Sequence, residues 1–344
     1  MEPSPGSTSS ASAFGRRSHP STLRAVPFRV APEAVDPMLA ALVGAVSVDG
    51  GPTAEQRTVL QAIAVHVWSR PDLDLDGVVP LDPPGAAAAL TDPLLRRRFH
   101  EVVIALEVCR HPLTATQVAR VEEYCTAMDL DGPDLGMLRD LVTRGTERAA
   151  ADFHRFLDAN LADRVEPGLG GVAPAAPEPA LAERLAAFAD TADGTLGRAY
   201  IDFYTRHHLA LPGVEASTMN HFFVSHDMTH VIAGIEPTGA GEVALSAFQM
   251  GMNDNDVNAS ALLASLVVHE AGFAAPPSVK AEERILDEPG AADLLARELA
   301  RGSRCTDDFS LADHLALADR PLAEVRARFG VEPPTDPHDG HHCW

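Results

Sequence analysis

The stretch from Pro167 to Pro179 reads Pro-Gly-Leu-Gly-Gly-Val-Ala-Pro-Ala-Ala-Pro-Glu-Pro. Proline removes amide donors and glycine is costly to order, so such a segment neither extends a helix nor fills a core. It divides the 344 residues into two parts, each long enough for a domain of its own. The expected organisation is a disordered tail over residues 1–32 and a helical bundle over 33–163. A linker over 164–180, a metal-binding helical domain over 181–330 and a flexible tail over 331–344 follow.

Both domains are expected to be all-α. Apolar residues make up 46% of the chain but aromatics only 5%, so alanine and leucine carry the packing, which favours helices. Asp and Glu number 49 against 27 Lys and Arg, a net charge of −22. That balance opposes binding to nucleic acid or to anionic lipid, and it suits cations and solubility. Cys109, Cys125, Cys305 and Cys343 lie far apart without a CxxC pair, which fits reduced thiols and a cytoplasmic location. No run reaches the ~18–20 apolar residues of a membrane span. The longest candidate, Ala259–Val268, is closed by His269 and Glu270. Residues 1–30 carry Arg16, Arg17, Arg24 and Arg29 but no apolar or amphipathic segment of a targeting signal.

In the first half, Met38, Leu39, Leu42, Val43 and Val46 recur at helical spacing. A turn at Asp49-Gly50-Gly51-Pro52 leads to Thr53 and Gln56, which have the spacing of a capping box. Thr114 and Gln117 repeat the device before a helix predicted to run to Leu130. Between them, Asp72, Asp74, Asp76 and Gly77 have the order of an EF-hand loop, but Pro83 stands where the bidentate glutamate belongs. A solvated loop is the expectation there. The run Ala45–Gly50 leading into Thr53–Gln56 resembles the tellurite-resistance B-like helical domain. In that family acidic turns are suspected metal binders, and the matching positions here are Asp49 and Glu55.

In the second half, Asp193-Gly194-Thr195 is expected to cap a helix to about His207, with Leu196, Tyr200, Phe203 and His207 on one face. His207 and His208 there read as charge-compatible residues of a helix carboxyl terminus. A second helix begins after Ser217 or Thr218 and ends at Gly234. It places His226 and His230 one turn apart on one face, as in metal-binding helices. Asp227 points about 100° away on an ideal helix, so it either reaches the same ion through relaxed geometry or fixes a histidine tautomer. After a loop broken by Pro237, Gly239 and Gly241, Glu242 falls in the first turn of the next helix, able to return to the histidine face. The candidate metal residues are therefore His226, Asp227, His230 and Glu242, a set suited to a divalent iron, zinc or manganese ion.

His226-Asp227-Met228-Thr229-His230, eleven residues, then Glu242, fits the pattern HDxxH-x11-E. With the block Asp193–Tyr200 upstream, this resembles the fourth-numbered coenzyme Q (ubiquinone) biosynthesis protein family over residues 190–275. The resemblance implies an all-α fold, a divalent metal on His226, Asp227, His230 and Glu242, and an isoprenoid-like lipid or quinone in an apolar groove. It further implies oxidative decarboxylation of a prenylated benzoate ring, with hydroxyl replacing the carboxylate, or a role organising an enzyme complex. Departures are Met228 and Thr229 inside the motif, no lysine or arginine over Met219–Val224, and an amino-terminal bundle foreign to that family.

Four ligands on a tetrahedral zinc would make a closed, structural site, whereas two histidines and one carboxylate on iron(II) leave open positions for chemistry. The function read from sequence is thus a metal-dependent, lyase-like step on a quinone-like or prenylated aromatic. Its alternative is a lipid-binding scaffold with a structural metal. The partner is an apolar small molecule, with peripheral membrane contact and assembly into a complex or homo-oligomer left open. A phosphohydrolase reading of His226–Asp227 would need His207 or His208 and Asp254 as further ligands and leaves His230 without a task. The ending His338-Asp339-Gly340-His341-His342-Cys343 has metal-binding residue types at a chain terminus.

Overall fold

The computed structural model describes residues 27–130, 133–275 and 279–344. The stretch 1–26, most of the expected amino-terminal tail, lies outside the described residues. The described chain is all-α: α1 Pro32–Val46, α2 Ala54–His66, α3 Pro83–Ala89, α4 Pro93–Val108, α5 Ala115–Ala127, α6 Pro133–Arg144 and α7 Thr146–Leu161. Past the proline-rich segment come α8 Pro179–Ala186, α9 Leu196–His207, α10 Asn220–Ala233, α11 Gly239–Met252 and α12 Asp256–Leu266. The last are α13 Ala291–Gly302, α14 His314–Leu317 and α15 Leu322–Phe329. Among the described residues no helix is long and apolar enough to cross a membrane.

The helix starts follow local chemistry. Thr53 accepts from the Gln56 amide while Gln56 accepts from the Thr53 amide, a complete capping box. Thr114 caps α5 in the same way through the Gln117 amide. Both glutamines are buried, and each spends its side-chain amide on another helix end: Gln56 donates to Leu106 O and Gln117 to Ala45 O. The paired caps therefore also tie α2 to α4 and α5 to α1. The acidic loop is solvated as expected, with Asp72 on Arg70, Asp76 on Arg57, and Asp74 capping its own turn. The bundle begins earlier than the periodicity from Met38 implies: Phe28 is 1% exposed, and its carbonyl accepts from Trp68 Nε1 at 2.7 Å.

Among the described residues two apolar clusters form the core, and α11 belongs to both. Val243, Ala244, Ala247 and Met250 face a cluster shared with α1, α2, α4, α5, α12 and α13. Leu245, Phe248 and Met252 face a second one with Tyr200, Phe203, Val224, Met228 and Phe309. A helix apolar on all sides is one that the fold surrounds. The α11–α13 crossing is close enough for backbone contact. A Cβ on Gly302 would lie 2.0 Å from Phe248 O, and one on Gly251 would lie 2.2 Å from Leu299 O.

Residues on both sides of the Pro167–Pro179 segment thus share the first cluster. Glu166, at its edge, is fully buried, where it meets His314 Nδ1 at 2.9 Å and accepts from the Leu315 amide. The final residues also pack inward. Cys343 N donates to Gly234 O, Glu236 N donates to His341 O, and the Trp344 ring lies 3.7 Å from the Arg326 guanidinium.

Candidate metal centre

The helix bearing the histidines is bolted at its carboxyl end. The last carbonyls of a helix have no partner within it, and here arginines from two other helices supply donors. Arg326 of α15 donates to Val231 O and Ile232 O, and Arg301 of α13 donates to Ala233 O. Gly234 ends α10 in the left-handed conformation, and the chain turns back through Ile235–Pro237 to Thr238, which caps α11 by accepting from Gly241 N. This short hairpin delivers Glu242 to the face that carries His226 and His230.

The tautomers are set by the acceptors behind each ring. His230 Nδ1 lies 2.9 Å from Ile235 O, and a carbonyl can only accept, so Nδ1 carries the proton. His226 Nδ1 is likewise 2.9 Å from Asp227 Oδ1. Both Nε2 atoms therefore face Glu242, at 3.3 Å from His226 and 3.2 Å from His230. One donor atom from each of His226, His230 and Glu242 lies within 4.8 Å of the others. His230 Nε2 is buried with no hydrogen bond beyond its approach to Glu242, and a cation between the two would satisfy both. Two imidazoles and a carboxylate fit a divalent ion of the iron, manganese or zinc kind.

Asp227 is the sequence-predicted ligand that does not join them. Its carboxylate is turned to His226 Nδ1 and to the Tyr204 hydroxyl, which donates to it. The 100° offset along α10 is kept, and the Asp227 carboxylate lies behind the His226 ring, where it would fix the tautomer of that histidine. Tyr204, a turn after Tyr200 on α9, is not among the residues that the helical spacing singles out there, Leu196, Tyr200, Phe203 and His207. Burial and the Asp227 charge raise its pKa well above the usual value, so the phenol stays a donor. The phosphohydrolase set is not assembled: His207 pairs with Glu236 at 2.6 Å, and Asp254 is held by Arg97 and Arg98 of α4.

Burial opposes the charged form of His226, but the Glu242 carboxylate and the Asp227 hydrogen bond outweigh it and hold its pKa up at about 9. Glu242 is affected in the other sense: burial opposes ionisation, yet His230 and His226 prevail and hold it well below the carboxylate range. Because His226 is raised on folding from about 6.5, its stabilising contribution is complete below that pH and is lost as the pH rises through about 9. The Glu242 contribution is complete above about pH 4.5 and is lost on acidification. Chelator-treated protein is thus expected to show an imidazole resonance with a midpoint near 9, shifted toward 6.5 by Glu242→Gln. Proton NMR across that range checks it, and a midpoint near 6.5 in the unaltered chain would contradict it.

The site opens on a cavity of about 950 Å³ walled largely by apolar side chains, among them Phe156, Leu157, Leu161, Phe222, Phe223 and Val268. The cavity draws on both parts of the chain, since α7 supplies one wall and α10 another. Arg164 also lines it, with its guanidinium 5.4 Å from the Phe222 ring centroid and hydrogen-bonded to Gln249 Oε1 at 2.9 Å. Burial lowers its pKa to about 10, still charged at neutral pH, and among the described residues it has no carboxylate in ion-pair contact. Sequence reasoning missed Arg164 because it lies just before the proline-rich segment, where a lone arginine reads as solvated.

No protein-family model matches the chain, and none of the curated proteins matches it. Among solved structures, a protein of Nostoc punctiforme named "Putative ubiquinone biosynthesis protein" is 18% identical, with a TM-score of 0.33, over 68% of this chain and 97% of its own.

Proposed function

We propose that the chain is a metal-dependent enzyme of quinone or prenylated-aromatic metabolism, related to the fourth-numbered coenzyme Q biosynthesis family. The observation that carries this is the meeting of two imidazole Nε2 atoms and the Glu242 carboxylate at the wall of a large apolar cavity. Three protein donors leave positions open on a six-coordinate ion, unlike a closed tetrahedral site. Iron(II) or manganese(II) held by His226, His230 and Glu242 would supply those positions and a redox couple.

The protein's own groups have separable tasks. Asp227 and the Ile235 carbonyl keep both imidazoles in the tautomer that presents Nε2, and the Tyr204 hydroxyl steadies Asp227. The apolar walls take a prenyl chain and exclude water, while Arg164 meets the ring carboxylate by a charge-assisted bond. The reaction we assign breaks the bond between ring and carboxyl carbon and releases carbon dioxide. One atom of dioxygen becomes the ring hydroxyl and the other leaves as water, with two protons and two electrons from an external reductant.

The test uses untagged protein, loaded with iron(II) and given a prenylated hydroxybenzoate, reductant and ¹⁸O₂. The expected product gains one labelled hydroxyl. His230→Ala is expected to lose the metal and the turnover together. Arg164→Met is expected to keep the metal and raise KM about tenfold, as loss of one charged hydrogen bond does. Tightly held zinc that iron(II) does not replace, with no carbon dioxide released, would instead establish a lipid-binding scaffold stapled by its metal.

A further inference from the structure

A second group of metal-ligating side chains lies apart from the first. Glu55 stands in the first turn of α2, Cys109 caps the end of α4, and Glu270 belongs to a π-helical turn, Val267–Ala271, that follows α12. One donor atom from each lies within 4.8 Å of the others, and all three residues are buried. His111, two residues after Cys109, brings Nε2 to 2.6 Å from Glu270 Oε1 and 3.9 Å from Glu55 Oε1. The other Glu270 oxygen accepts from the Leu286 amide at 2.8 Å. Glu55 Oε1 is different: it is sealed from solvent, it faces His111, and it has no hydrogen-bond partner.

Two carboxylates this close and this deep cannot both stay ionised unless a positive charge lies between them; without one, burial and Glu270 push Glu55 up to about 9 and the pair shares a proton. The nearest permanent cation is Arg284, with Nε 3.7 Å from Glu55 Oε2 and half its side chain in solvent. It touches one carboxylate from outside and leaves the inner oxygen unpaired. Asp49, the other acidic position of the first helical turn unit, is not involved, since it accepts from Thr114 Oγ1. The group is therefore assembled across the molecule, with Glu270 contributed from beyond the proline-rich segment.

We infer that Glu55, Cys109 and Glu270 form a second metal site, of the zinc(II) class, that fastens the amino-terminal bundle to the helices bearing the first centre. The donor set decides the class. A thiolate disfavours magnesium and calcium, and two carboxylates disfavour copper(I). His111 holds Glu270 in place through its hydrogen bond, as the partners of ligating carboxylates do. Three protein donors from three separate elements make the ion a clasp whose loss frees α2, α4 and the π-helical turn from one another.

Cobalt(II) distinguishes the two sites because only this one contains sulfur. Full-length protein titrated with cobalt(II) chloride without oxygen is expected to develop a thiolate-to-cobalt charge-transfer band in the near ultraviolet. The band is expected to vanish in Cys109→Ser, to weaken at least tenfold at equal cobalt in Glu55→Gln, and to persist in His230→Ala and Cys343→Ser. Absence of the band in the unaltered chain at saturating cobalt would overturn the inference, leaving a carboxyl pair that shares a proton. So would a band that survives Cys109→Ser. Because His230→Ala removes only the first centre, failure here is distinct from failure of the proposed enzymatic function.

Discussion

The Arg301→Met variant is expected to unfold at much lower urea than the parent, with a loss of about 3–5 kcal/mol. Arg301 is 2% exposed and pairs with Glu298, also buried, through Nε at 2.7 Å. Its remaining donors reach Ala233 O and Glu332 O, and its guanidinium lies 4.6 Å from the centre of the Phe248 ring. Methionine matches the length but leaves Glu298 with only His342 for company and two carbonyls without donors. Adding Glu298→Leu to the same chain is expected to recover part of the loss, because no buried charge then stands unpaired. Equilibrium urea melts of the parent, both single variants and the double variant check this. Additive losses would show that the pair is not coupled. Since the Ala233 carbonyl closes the helix of His226 and His230, the single variant is also expected to bind the proposed metal ion less tightly.

The second large effect is expected from adding one methyl group. In Gly302→Ala the new carbon would sit 2.0 Å from Phe248 O, which is backbone and cannot swing aside. Either α13 or α11 must move by an ångström or more, and overpacking of this kind costs about 1–3 kcal/mol, occasionally more. A value of about 3 kcal/mol is expected, because the obstacle is main chain. Gly136→Ala in α6 is the matched control, with nothing within 4 Å of its added carbon. It is expected to be neutral or to gain up to about 1 kcal/mol from helix propensity. Thermal melts of the two variants beside the parent decide it. Equal midpoints would mean that the helices separate without strain.

Much of this was legible in the sequence where the signal is local. The caps at Thr53, Thr114 and Thr195 bond to amides three residues away, so a short window contains the whole interaction. The His226–His230 pair and the return of Glu242 were legible for the same reason, since one helical turn and one broken hairpin fix them. Asp227 was harder, because its role depends on Tyr204, 23 residues earlier on another helix. The arginines that close α10 come from 68 and 94 residues further on, and nothing in their own neighbourhood marks them. Glu270 did show itself, as a charge interrupting the apolar run Ala259–Val268, but only the fold brings it to Glu55 and Cys109. The π-helical turn that carries it has no clear pattern of its own.

Helix α13 touches α11 on one side and α2 on the other, with Asp293 meeting His66 at 3.0 Å. A chain possessing the histidine hairpin but lacking the first 160 residues would lay the α2-facing side of this helix bare to water. A cut near Pro167 would therefore turn core positions of α13 into surface positions, and each half alone would have to carry that apolar face in water.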